Sequence, residues 1–83
     1  MQFVYKTNGT CSTDIQLKVE EGVLKEVRFI GGCNGNLQGI SRLVEGMPVD
    51  EVISKLEGIS CGGRPTSCPD QLCRALKELN KNN

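Results

Sequence analysis

The sequence contains no histidine and no tryptophan, and its basic and acidic side chains balance at 10 each over 83 residues. Without histidine there is no imidazole base, and a site for a soft metal has to be built from thiolates, with at most a carboxylate added. The charges are scattered along the chain, leaving no basic stripe for nucleic acid and no polybasic patch for a membrane surface. The three aromatics, Phe3, Tyr5 and Phe29, are too few for a base-stacking platform. Uninterrupted apolar runs stop at two or three residues, so nothing here spans a bilayer. The opening stretch MQFVYKTNG has no basic start and no long apolar segment, so it does not read as a signal peptide. The expected compartment is the cytoplasm.

What the chain does have is cysteine, five in all. Residues 1–83 are expected to form one domain. A chain this short buries only about 60–65% of its unfolded surface, so its apolar core is marginal and a staple is expected. In a reducing cytosol, clustered cysteines are metal ligands or catalytic groups more often than disulfides, and an odd count fits a simple disulfide framework poorly.

The first 30 residues read as strands. Phe3 and Tyr5 alternate with polar neighbours before Thr7-Asn8-Gly9 breaks the run. Ile15, Leu17 and Val19 alternate with Gln16, Lys18 and Glu20. Glu20-Glu21-Gly22 supplies a hairpin turn, and residues 23–30 follow as a third strand with Val27 and Phe29 on one face. After Gly31-Gly32 the period changes. Leu37, Ile40, Leu43 and Val44 suggest an amphipathic helix ended by Gly46. Pro48 is expected to open a second helix, striped by Val49, Val52, Ile53 and Leu56, with Gly58 as its terminal cap. A last helix begins near Cys68 and Pro69, carries Asp70 in its first turn and turns Leu72, Leu76 and Leu79 inward. The expected fold is α+β: a three-stranded antiparallel sheet followed by three helices.

Four cysteines lie beside a glycine or a helix start: Cys11 after Asn8-Gly9-Thr10, Cys33 after Gly31-Gly32, Cys61 before Gly62-Gly63, and Cys68 at a helix beginning. Glycines let the backbone approach a site closely, and a thiolate at a helix start is favoured by free N–H groups and the positive end of the dipole. Thiolates suit zinc, which structural sites hold tetrahedrally on four ligands at about 2.3 Å. Convergence of Cys11, Cys33, Cys61 and Cys68 on one metal ion is therefore the leading expectation. Packing as small apolar residues, disulfides and a reactive thiol stand beside it as alternatives, because the spacing lacks the paired C-x-x-C of a zinc ribbon. Cys73 sits about 140° round the last helix from Cys68 and reads as packing.

The loop Gly31-Gly32-Cys33-Asn34-Gly35-Asn36 joins a strand to a helix, where phosphate loops occur. It lacks both G-x-G-x-x-G and a Gly-Lys-Ser/Thr ending, so it is a weak nucleotide-binding signal and a tight turn explains it better. Arg28, Arg42, Arg64 and Arg74 read as solvated surface charge, and Asp14 as a turn residue in preference to a carboxylate ligand.

The string Thr66-Ser67-Cys68-Pro69-Asp70 resembles the signature of the TSCPD-domain family. GTCS at 9–12, FIGGCNGN at 29–36, GISRLVEG at 39–46 and ISCGGRPTSCPDQL at 59–72 extend the resemblance to that family's four-cysteine small proteins. The same domain type occurs at the C-terminus of adenosylcobalamin-dependent ribonucleotide reductases. The resemblance implies an accessory domain that binds metal, zinc being expected, or relays electrons beside such an enzyme of DNA synthesis. The chain is too short to house reductase catalysis itself. A fainter resemblance joins Cys11, Asp14-Ile15-Gln16-Leu17, Gly22, Val27, Phe29 and Gly32-Cys33 to U-type iron-sulfur scaffold proteins. Those place three cysteines in a first loop, after a third strand and at a late helix start, as Cys11, Cys33 and Cys68 are placed here. It implies an iron-sulfur or sulfur-transfer scaffold as a second reading, and a thiol redox module delivering electrons through the Cys61/Cys68 pair stands as a third. A protein partner is expected under each reading.

Overall fold

Period-two alternation builds an antiparallel sheet in the computed structural model, which describes residues 2–10, 12–32, 34–60 and 62–81. Strand β1 is Gln2–Lys6, β2 is Ser12–Glu20 and β3 is Val23–Gly31. Helix α1 (Asn34–Val44), strand β4 (Met47–Pro48), helix α2 (Val49–Leu56) and helix α3 (Cys68–Lys81) follow. The sheet runs β1-β2-β3-β4 with every neighbour antiparallel. The expected α+β class and three helices are present, but the sheet has four strands where three were expected.

The fourth strand comes from a return of the chain after α1. Gly46, at φ +88°, turns the backbone so that its N–H donates to the Leu24 carbonyl at 2.7 Å. Met47 and Pro48 then lie opposite Leu24 and Val23, and the Val49 N–H closes on the Gly22 carbonyl at 2.9 Å. Two residues are too few to show a period. Pro48 is accordingly extended, at φ −57° and ψ 140°, and precedes α2 as its cap; it does not form the helix's first turn. A proline without an N–H is tolerated at this sheet edge.

The β2–β3 connection is a two-residue turn with Glu21 at φ +53° and Gly22 at φ +75°. Two positive φ values match the twist of the flanking strands, which is why such primed turns dominate short hairpins. The β2–β3 ladder carries two irregularities, one between Ser12 and Asp14 and one between Lys18 and Val19. Each skips one residue, so the side chains on either side fall on the same face although they are three apart. In this way Ser12 joins Ile15 and Leu17 on the buried face, and Leu24 joins Val27.

All three helices contribute to one core. Ile15, Leu17, Leu24 and Val27 meet Val44 of α1, Val49 and Val52 of α2, and Leu72, Ala75, Leu76 and Leu79 of α3. Across the opposite sheet face, the register partners Val4, Gln16 and Arg28 are exposed. Helix α1 departs from its expected stripe: it buries Leu37, Ser41 and Val44, while Leu43 is 76% exposed. Position 43 lies about 240° round the helix from position 37, on the far side. Ser41 occupies the inner face because its hydroxyl donates to the Leu37 carbonyl at 2.8 Å. Among the described residues, no helix is long and apolar enough to cross a membrane.

Candidate functional site

The first turn of α3 is polar and buried at once. Thr66, Ser67, Asp70 and Gln71 are all at most 5% exposed. Burying polar groups is costly unless each finds a partner, and here every one does. The Ser67 hydroxyl accepts from the Asp70 N–H at 3.2 Å, which makes Ser67 the cap of α3 and satisfies one of its free amide donors. The helix starts at Cys68, and Pro69 sits in its first turn, where a missing N–H costs nothing.

Two loops are tied to this turn. The carboxylate of Asp70 accepts from the Gly58 N–H at 2.8 Å, the Thr66 hydroxyl at 2.5 Å and the Arg74 Nε at 3.1 Å. Burial alone would raise the Asp70 pKa. The bonds from Thr66 and Gly58, with the charge and bond of Arg74, outweigh it and hold the group below its ordinary value of 3.8. The Ser67 hydroxyl also donates to the Ile59 carbonyl at 2.6 Å. Residues 58–60, which lead into Cys61, are thus fastened to α3 at two points. On the other side, the Gln71 amide accepts from the Asn8 N–H at 3.1 Å and donates to the Thr66 hydroxyl at 2.9 Å. Gly9 follows at φ +77°, and a Cβ there would lie 3.3 Å from the Thr66 methyl. The loop leading into Cys11 is therefore seated directly on α3.

The end of β3 reaches the same place through the sheet. Gly31 is paired with Ser12, and the Ser12 hydroxyl lies 3.1 Å from Cys68 Sγ. The Ser12 carbonyl accepts from the hydroxyls of Thr7, at 2.5 Å, and Thr10, at 3.2 Å. Of the four predicted ligands, Cys68 is described: it is half-buried and carries no disulfide. Cys11, Cys33 and Cys61 lie outside the described residues. Among the described residues, no group of three or more His, Cys, Asp or Glu is placed to hold a metal ion. The chain segments on either side of Cys11, before Cys33 and before Cys61 are nonetheless linked, directly or through Ser12, to residues 66–71.

Cys73 stands apart from this end of the molecule. It is fully buried between α2 and α3, with Sγ 3.7 Å from the Val52 carbonyl and 3.9 Å from that of Ile53. Burial, reinforced by the negative charges of Asp70 and Glu57, pushes its thiol up to about 11, against a small opposing effect of Lys77. A thiol so held stays protonated and is a poor ligand.

Sequence reasoning placed Asp70 in the first helical turn but did not find the buried set of Ser12, Thr66, Ser67 and Gln71. The capping pattern Ser67-x-x-Asp70 was the available signal. Comparison with curated proteins and with solved structures gives no match. The model of the family described as TSCPD domain matches residues 3–80. Ser67 and Asp70, within the string Thr66-Ser67-Cys68-Pro69-Asp70 that spells the name of that family, hold residues 58 and 59 against α3, and the chain belongs to the TSCPD domain family.

Proposed function

We propose that this domain is a metal-binding accessory module in which the thiolates of Cys11, Cys33, Cys61 and Cys68 hold one zinc ion. The observation that carries the reading is the anchoring of the segments leading into Cys11 and Cys61 on the first turn of α3, where Ser12, paired with Gly31 at the end of β3, also meets Cys68. The donor chemistry fits: four soft thiolates, no imidazole, and a half-buried Cys68 at a helix start. Bound there, zinc would act as a structural cross-link, contributing on the order of 10 kcal/mol to a domain whose apolar core is small.

The module is proposed to serve a larger protein partner. Ribonucleotide reductase or a relative is the candidate, supported by membership of a family whose domain resembles the C-terminus of such enzymes. The first test is elemental and sulfide analysis of protein prepared anaerobically without added metal. One zinc per chain, lost together with the fold in Cys33→Ser, is the expected result. Iron with labile sulfide turns the reading to a cluster scaffold, and neither metal overturns it. Binding of the domain to the reductase tests the partner separately.

A further inference from the structure

The Ser12 hydroxyl is a polar group on the sheet face that packs the apolar core. It is 2% exposed, on the same face as Ile15 and Leu17, and it reaches that face only because the irregularity at Thr13 shifts the alternation. Among the described residues, its hydroxyl meets the Thr10 hydroxyl at 3.3 Å and Cys68 Sγ at 3.1 Å. Both ends of the contact are fixed: the Ser12 carbonyl is held by Thr7 and Thr10, and Cys68 follows a cap locked to Ile59 and Asp70. A sulfur acting as a metal ligand has no proton, so the hydrogen of this contact then comes from Ser12.

We infer that Ser12 is a positioning residue of the cysteine site, donating to Cys68 Sγ and making Cys68 the least reactive of the four thiols. This rests on the proposed four-cysteine reading and adds a rank order within it. A hydrogen bond to a sulfur draws electron density from it and fixes its direction, and removing such an outer partner typically weakens a metal site by about 10–100-fold. A site with one ligand quenched in this way is suited to holding an ion permanently, not to handing sulfur on.

The test is site-resolved alkylation of the native protein as purified. Iodoacetamide labelling is followed at each cysteine by peptide mass spectrometry, with the metal content of the same sample measured in parallel. Cys68 is expected to react most slowly of the four, and Ser12→Ala to raise its rate about 10-fold while leaving the others within a factor of two. Ser12→Thr, which keeps the hydroxyl, is expected to restore the slow rate. In protein loaded with cobalt(II), Ser12→Ala should shift the sulfur-to-metal charge-transfer band to lower energy. Unchanged Cys68 labelling, or an equal rise at all four cysteines, overturns the assignment. If Ser12→Ala does not fold, the wild-type rank order decides, and labelling of Cys68 as fast as the other three cysteines counts against the inference. A sample with no metal refutes the metal reading alone, because the labelling comparison is read independently of it.

Discussion

Removing the carboxylate of Asp70 should cost this domain a large part of its stability. The side chain is buried and accepts three hydrogen bonds, from Gly58, Thr66 and Arg74. Arg74 is 56% exposed, so its share is small, about 0.5 kcal/mol. The other two are charge-assisted and shielded, worth roughly 1.5–3 kcal/mol each. Asp70→Ala is therefore expected to cost about 3–6 kcal/mol, against a total of roughly 5 kcal/mol for a domain at the low end of the usual range. At about 4–8 °C per kcal/mol for a chain of this size, even the lower figure lowers the melting temperature by roughly 12–24 °C. Asp70→Asn keeps one acceptor for Gly58 and should lose only about 1–2 kcal/mol. Because the folded pKa lies below 3.8, the charge of Asp70 contributes its full stabilisation above that pH and loses it as pH falls toward the folded value. Thermal melts of wild type, Asp70→Asn and Asp70→Ala across pH 3–7, at matched metal content, measure both effects. A loss below 1 kcal/mol for Asp70→Ala, or a wild-type–Asn gap that closes already above pH 5, would refute the reasoning.

Three further outcomes follow from single positions. Gly22→Ala should destabilise by about 1 kcal/mol although a Cβ there meets nothing within 4 Å, because φ is +75°. Gly39→Ala, equally unobstructed but within α1, should stabilise by about 0.5–1 kcal/mol; urea midpoints that move together in one direction contradict this backbone account. Cys73 should resist iodoacetamide at pH 8 until denaturant is added, since its thiol titrates at about 11; labelling in the native state at the rate of an exposed thiol would show that the α2–α3 contact opens.

Much of the fold is written locally. The alternation of Ile15, Leu17 and Val19, the Glu21-Gly22 turn, and Leu72, Leu76 and Leu79 each follow from periods and turn chemistry within a few residues. The start of α3 near Cys68, with Pro69 in its first turn, is legible for the same reason. Leu43 was misassigned because Leu37, Ile40 and Val44 admit two phases, and only packing against β3 selects the one that buries Ser41. β4 was missed because the flanking Gly46 and Val49 hold it in place by bonds to Leu24 and Gly22, more than 20 positions away.

The site divides along the same line. The sequence by itself determined which side chains bear chemistry: five thiols, no imidazole, and a signature string at a helix start. Composition and motif suffice for that, since donor type is a property of the residue. Only the tertiary structure decided that Asp70 and Gln71 face inward to clamp residues 58 and 8, and that Ser12 turns toward Cys68. Those contacts join positions 12, 63 and 56 residues apart. They arise where an irregularity in β2 meets the capped end of α3, a meeting fixed by strand register and helix docking together.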